Sequence, residues 1–163
     1  MNCLVFQAFI IPMNKLVELR KLSAKFYEDY PESDYPEMER KIGRPYVILL
    51  VTIKDLKFGI PLRTNIKHSY CYKFKNSGRN TNSVTGIDFS KAVVIIKDSY
   101  LGDETDIDDK EYLELQEKTY FIIQKFKKYV DDYILYKTTG GNEYIARRYQ
   151  FSTLKYFDNE LLK

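Results

Sequence analysis

Residues 45–62 read PYVILLVTIKDLKFGIPL. The run 45–53 is continuously apolar and rich in β-branched side chains, the pattern of a central strand. KDLK turns the chain and FGIPL returns as the hairpin partner. Pro61 cannot donate to a ladder, so the return strand is expected to be an edge or to be ending there. The residues after it should then leave the sheet and expose their side chains in a loop.

Outward from this hairpin, other patterns fill in the architecture. LVFQAFIIP, at the start of the chain, lacks a basic n-region and a small-residue cleavage site, and reads as a first strand rather than a signal peptide. Asn14 is a helix N-cap, and Leu16, Leu19, Ser23 and Phe26 at helical spacing predict an amphipathic helix over Lys15 to Lys25. Pro31 and Pro36 make YPESDYPE a loop. From His68 the period becomes two, with His68, Tyr70, Tyr72 and Phe74 on one face, which predicts a third strand. KNSGRNTNSVTG is a polar, flexible loop, and KAVVII, residues 91–96, is a fourth, buried strand. Asp108 with Glu111 resembles a capping box before a long helix with Leu115, Ile122, Phe126 and Val130 as its apolar stripe, stopping before Gly140-Gly141. EYIARRYQFSTLKYF closes the structure as a strand or short helix. The class is α+β: a compact, strongly twisted, mostly antiparallel sheet with helices packed on it.

At 163 residues the chain is the size of one domain, 1–163, able to bury a core without disulfides. Two separated cysteines, Cys3 and Cys71, and one histidine cannot assemble a zinc pattern, so no metal or cofactor is expected and a reducing, cytoplasmic setting is. No apolar run approaches the roughly 20 residues of a membrane helix. Charge is uneven: residues 38–91 hold eleven Lys or Arg against three acids, whereas 97–117 hold two lysines against nine acids. A basic middle beside an acidic belt suits a protein that presents one face to a polyanion, or else simply solvates opposite faces.

GIPLRTNIKHSYCYKF, residues 59–74, concentrates the chemistry. Arg63 offers a planar fork for phosphate, Lys67 a mobile point charge, Thr64 and Asn65 uncharged donors, and His68 a group that exchanges a proton near neutrality. RNA carries its own nucleophile in the 2′-OH, so metal-free cleavage needs only in-line positioning, stabilisation of the pentacoordinate dianion and proton transfer. Tyr70 and Tyr72 suit stacking on unpaired bases. Ser90 and Lys91 add a hydroxyl and a cation at the next strand start. The alternatives are ordinary ones: a half-buried histidine bonded to backbone, surface charge, and tyrosines in the core. No GxSxG, Walker, HExxH or EF-hand sequence is present, and helix capping accounts for DETDIDD better than a cation loop does.

RPYVILLVTI, then FGIPLRTNIKH, then GIDFSKAVVI resembles the toxins of type III toxin–antitoxin systems, the ToxN/AbiQ-like endoribonucleases, most closely their CptN/TenpN branch. The likeness covers roughly residues 40–97, and QFSTL near the C-terminus is similar to a phrase in other members. It implies a sheet similar to that of ToxN and MazF/Kid-type ribonucleases, and metal-independent cleavage leaving a 2′,3′-cyclic phosphate and a 5′-OH. It also implies inhibition by a small pseudoknotted, repeat-derived RNA antitoxin in a closed toxin–RNA assembly, with mRNA and the antitoxin precursor as substrates. The biological role it implies is abortive infection in phage defence. Carried over by position, Arg44, Thr64, Lys67 and His68 are the catalytic candidates. Arg40, Lys41, Arg63, Asn65, Tyr70, Tyr72, Ser90 and Lys91 are the RNA-binding ones. Arginine for lysine at 44, threonine for serine at 64 and histidine at 68 depart from the commoner pattern, so which residue moves the proton stays open. A non-catalytic RNA-binding module is the alternative from another class, and a head-to-tail protein-interaction domain a third.

Overall fold

A two-residue turn joins Val47–Ile53 to Leu56–Thr64 at the centre of an antiparallel sheet in the computed structural model, which describes residues 17–40, 46–79 and 82–163. The turn residues Lys54 and Asp55 both have positive φ, 48° and 66°. That backbone matches the right-handed twist of the flanking strands, so the hairpin closes with Ile53 opposite Leu56. Counting along the chain, the described strands are β1 Leu19–Leu22, β2 Val47–Ile53, β3 Leu56–Thr64, β4 Cys71–Lys73, β5 Thr85–Asp88, β6 Val93–Val94 and β7 Leu101–Glu104. Their order is β4-β5-β3-β2-β1-β7, with β6 also on β3. The α+β class holds.

One long helix covers the sheet. Asp108 caps α2, Asp109–Thr139, by accepting from the Glu111 N–H, and Gly140 ends it at φ 77°, a conformation that glycine adopts without penalty. Leu115, Ile122, Phe126 and Val130 are buried along its inner stripe, and the Phe126 ring meets Phe58 of β3 edge-on at 5.2 Å between centroids. The short helix α1, Ala24–Asp29, packs Phe26 at the other end of the core. The C-terminal tail forms α3 Glu143–Tyr149, a 3-10 turn Thr153–Phe157 and α4 Asp158–Leu161. It is pinned by Thr153, whose hydroxyl donates to the Ala92 carbonyl. No described helix is long and apolar enough to cross a membrane.

Several elements differ from the sequence reading. Leu19 to Leu22 is strand, not helix: its backbone pairs with β2 on one side and β7 on the other, with an irregularity between Arg20 and Leu22, and both leucines are buried; the helix starts only after Ser23, its N-cap. The proposed first strand, with Asn14 and Leu16, lies outside the described residues. The third strand shortens to Cys71–Lys73, and Thr85–Asp88 forms a strand that was not anticipated. Pro61 lies inside β3 rather than at an edge. It pairs with Ile48 on one side and, on the other, sits in the gap between β6, which ends its pairing at Phe58 and Gly59, and β5, which begins at Leu62.

β4 lies close against β5 at Gly86, where an added Cβ would lie 2.0 Å from the Tyr72 carbonyl oxygen. The obstacle is backbone, so it cannot swing aside. Gly86→Ala is expected to destabilise by about 1–3 kcal/mol, read as a lower urea midpoint with an unchanged slope. An unshifted midpoint would mean that β4 moves away without cost.

Candidate functional site

The hub of the site is Asp88, the last residue of β5, which is fully buried at 0% exposure. Its Oδ1 accepts from the Ser90 N–H at 3.0 Å and from the Ser90 hydroxyl at 2.7 Å, capping the turn Phe89–Lys91. Its Oδ2 accepts from the Arg63 guanidinium and lies 3.3 Å from His68 Nε2. Burial alone would push the Asp88 carboxyl up, but hydrogen bonds from His68, Ser90 and Arg63 outweigh it and hold the group below the usual aspartate value. Arg63 also reaches Glu39 Oε1 at 2.8 Å, and Tyr46 donates to the other Glu39 oxygen at 3.1 Å. One guanidinium is thus shared by two carboxylates; burial disfavours its charge, and the two carboxylates more than restore it.

His68 is fixed at both ring nitrogens. Nδ1 accepts from the Tyr70 N–H at 3.2 Å, which assigns the proton of the neutral ring to Nε2, facing Asp88 and the Ser90 oxygen at 3.4 Å. Its face stacks on Tyr70 at 5.6 Å, and the Arg148 guanidinium lies 5.2 Å from the Tyr70 ring centre. The imidazole is one-third exposed. It can exchange a proton with a ligand only by giving up one of these partners.

Arg63 and Thr64 do not leave the sheet after Pro61, as the sequence suggested; they pair with Gly86 and Thr85 of β5. The chain turns at Asn65, φ 59°, a conformation that asparagine tolerates better than most residues. Ile66 then plugs into the core and donates its N–H to the Val84 carbonyl at 3.2 Å. Thr64, Asn65 and Lys67 are left exposed around that anchor, with no side-chain hydrogen bond or ion pair among the described residues. A cleft of about 330 Å³ opens beside Thr64, lined by Leu62, Arg63 and Arg79 and by the acids Asp106, Asp108 and Glu111 at the entry to α2. A larger one, about 860 Å³, is walled by Glu18, Glu104, Asp106 and Asp109 and would repel phosphate.

The remaining candidates separate. Tyr72 is buried, with its hydroxyl 2.7 Å from Glu114 Oε1, and burial corrects its assignment as a stacking surface. Ser90 is buried and committed to Asp88, so it supports the site from below. Lys91 braces the tail by donating to the Phe151 carbonyl at 2.9 Å and pairs with Glu37 at 3.4 Å. Arg40 donates to the Tyr30 carbonyl and covers the Tyr27 ring at 5.4 Å. Arg44 and Lys41 lie outside the described residues.

Two features escaped the sequence reading. Asp88 was only one of three acids in a basic segment, although Asp-x-Ser after a strand is the signature of a side-chain cap. The acidic belt proved to be a clamp. Buried Glu114 accepts from the N–H groups of Lys75 and Asn76 at 2.9 and 2.8 Å, and buried Glu111 from Ser77, Arg79 and Thr85. Asp108 takes the Gly78 N–H at 2.8 Å, so residues 75–79 of the polar loop are bonded down onto α2. Burial would raise the Glu114 carboxyl, but the Lys75 and Asn76 N–H groups and the Tyr72 hydroxyl outweigh it and hold the group below its usual range. No protein-family model, curated protein or solved structure matches the chain.

Proposed function

We propose that the chain is an endoribonuclease toxin of a type III toxin–antitoxin system. The observation that carries this reading is the exposed trio Thr64, Asn65 and Lys67, at and just beyond the end of β3, while the neighbouring Arg63 is occupied by Asp88 and Glu39. In the reaction, the substrate's 2′-oxygen attacks the adjacent phosphorus and the P–O5′ bond breaks. The 2′-OH gives up a proton, O5′ gains one, and a 2′,3′-cyclic phosphate and a 5′-OH remain. Because the nucleophile belongs to the RNA, the protein's main task is to offset charge on the pentacoordinate phosphorus. Lys67 supplies the cation and Thr64 the hydroxyl donor. His68, anchored by Asp88, positions this segment, and it joins proton transfer only when Nδ1 releases the Tyr70 N–H.

A small repeat-derived RNA would occupy the same surface and silence the enzyme until phage infection releases it in the cytoplasm. The engagement of both His68 nitrogens favours one other reading, a module that binds RNA without cutting it. Expression without the cognate RNA tests the proposal: growth arrest is expected, relieved by supplying the repeat RNA. Harmless accumulation of folded protein would count against it.

A further inference from the structure

We propose that a second cleft, between β4 and the middle of α2, is a binding groove for single-stranded RNA that stacks an unpaired base on Phe121. The cleft holds about 540 Å³, and four lysines, Lys73 and Lys75 from the strand side and Lys118 and Lys125 from the helix, surround Phe121. Lys118, Phe121 and Lys125 follow at helical spacing and share one face. Phe121 is 53% exposed, an unusual place for a phenylalanine, and its ring is braced edge-on by Tyr72 at 6.2 Å. It is a supported apolar platform set among cations.

The charge there is compensated only in part, by Glu117 beside Lys118 and by the field of buried Glu114 on Lys75. Lys73 and Lys75 have no carboxylate within salt-bridge distance among the described residues. Lys125 donates to the Cys71 carbonyl at 3.0 Å, which orients the ammonium without neutralising it. Lys118 meets Glu117 only at 3.9 Å. The nearby Glu114 is buried and turned to Tyr72 and the loop backbone. A polyanion fits the lysines, and the open ring selects a nucleic acid strand over an acidic peptide, because a base has a π-face to lay on it and a carboxylate does not. Duplex would keep its bases stacked on each other and leave the platform unused.

The groove also adjoins the proposed active surface. Ser69 lines the cleft and directly follows His68 in the chain, which joins the groove to the segment that carries Lys67. The groove would hold nucleotides flanking the reacting linkage and would supply affinity rather than chemistry. Its role as a substrate groove rests on the endoribonuclease reading, whereas its binding of RNA is measured separately.

The test uses the full chain and a fluorescent 2′-O-methyl oligonucleotide, which lacks the attacking hydroxyl and stays intact. Phe121→Ala is expected to weaken binding roughly 5- to 150-fold with an unchanged salt slope, and Phe121→Tyr to bind like the wild type. Lys73→Gln combined with Lys118→Gln should flatten the slope of log affinity against log salt by about 1.4, the value for two phosphate contacts on a single strand. Thermal melting verifies that each variant is folded. Wild-type affinity in folded Phe121→Ala and in the double lysine variant would overturn the groove, even if the protein cleaves RNA. Equal dependence on Phe121 for poly-glutamate binding would overturn the choice of ligand. Weakened binding by these variants of a protein that cuts no RNA would uphold the groove and refute the nuclease.

Discussion

Asp88→Ala is expected to lower stability by about 3–5 kcal/mol, because it removes the buried acceptor of Arg63, His68 and Ser90 while leaving their donors in place. For a domain of this size that is a fall in melting temperature of about 6–20 °C. Asp88→Asn separates charge from shape, since it fills the same space and cannot ionise. The pH dependence has a definite sign. The folded carboxyl titrates below its ordinary value, so its contribution is complete above about pH 4 and disappears as pH falls through the lower folded value. The wild type should therefore lose its margin over Asp88→Asn as acid is added in that range. A folded Asp88→Ala protein melting within a degree or two of the wild type would show that the buried network is not what fixes the site.

Lys67→Met is expected to slow RNA cleavage by on the order of 100-fold or more while changing RNA affinity little, since a group that meets charge formed only in the transition state affects rate and not ground-state binding. Lys67 makes no described ion pair, so its removal should leave the melting temperature where it was. Single-turnover kinetics with a short RNA separate the two effects. Equal losses in rate constant and affinity would make Lys67 an anchor for a phosphate and not a stabiliser of the reacting one. His68→Gln should cost less, because the imidazole is already committed at both nitrogens.

How much of this was legible in the sequence varies with how local the cause is. The β2–β3 hairpin and α2 were, because an apolar run, a tight turn, a capping aspartate and a glycine stop act within a few residues of one another. Leu19 to Leu22 misled because Leu19, Ser23 and Phe26 fit a helical period equally well, and only pairing with β2 decides between them. Pro61 misled because its tolerance inside β3 depends on two other strands stopping short of it. Within the candidate site, Thr64, Asn65 and Lys67 are exposed as expected of that segment, although Thr64 is still paired with β5. Asp88 was not foreseen, since its role comes from Arg63 and His68, 25 and 20 residues away in the chain, being folded onto it. Tyr72 shows the converse: a tyrosine on a period-two face stacks on RNA or supports the core according to what covers that face, and α2 covers it.

The ends left on RNA decide whether the protein is a metal-independent endoribonuclease. Purified protein is incubated with RNA in excess EDTA and the new ends are examined. Fragments bearing 2′,3′-cyclic phosphate and 5′-hydroxyl ends are expected, formed at the same rate with or without the chelator and lost in Lys67→Met. RNA that is bound but intact, or cleavage that stops when EDTA is added, would contradict that activity.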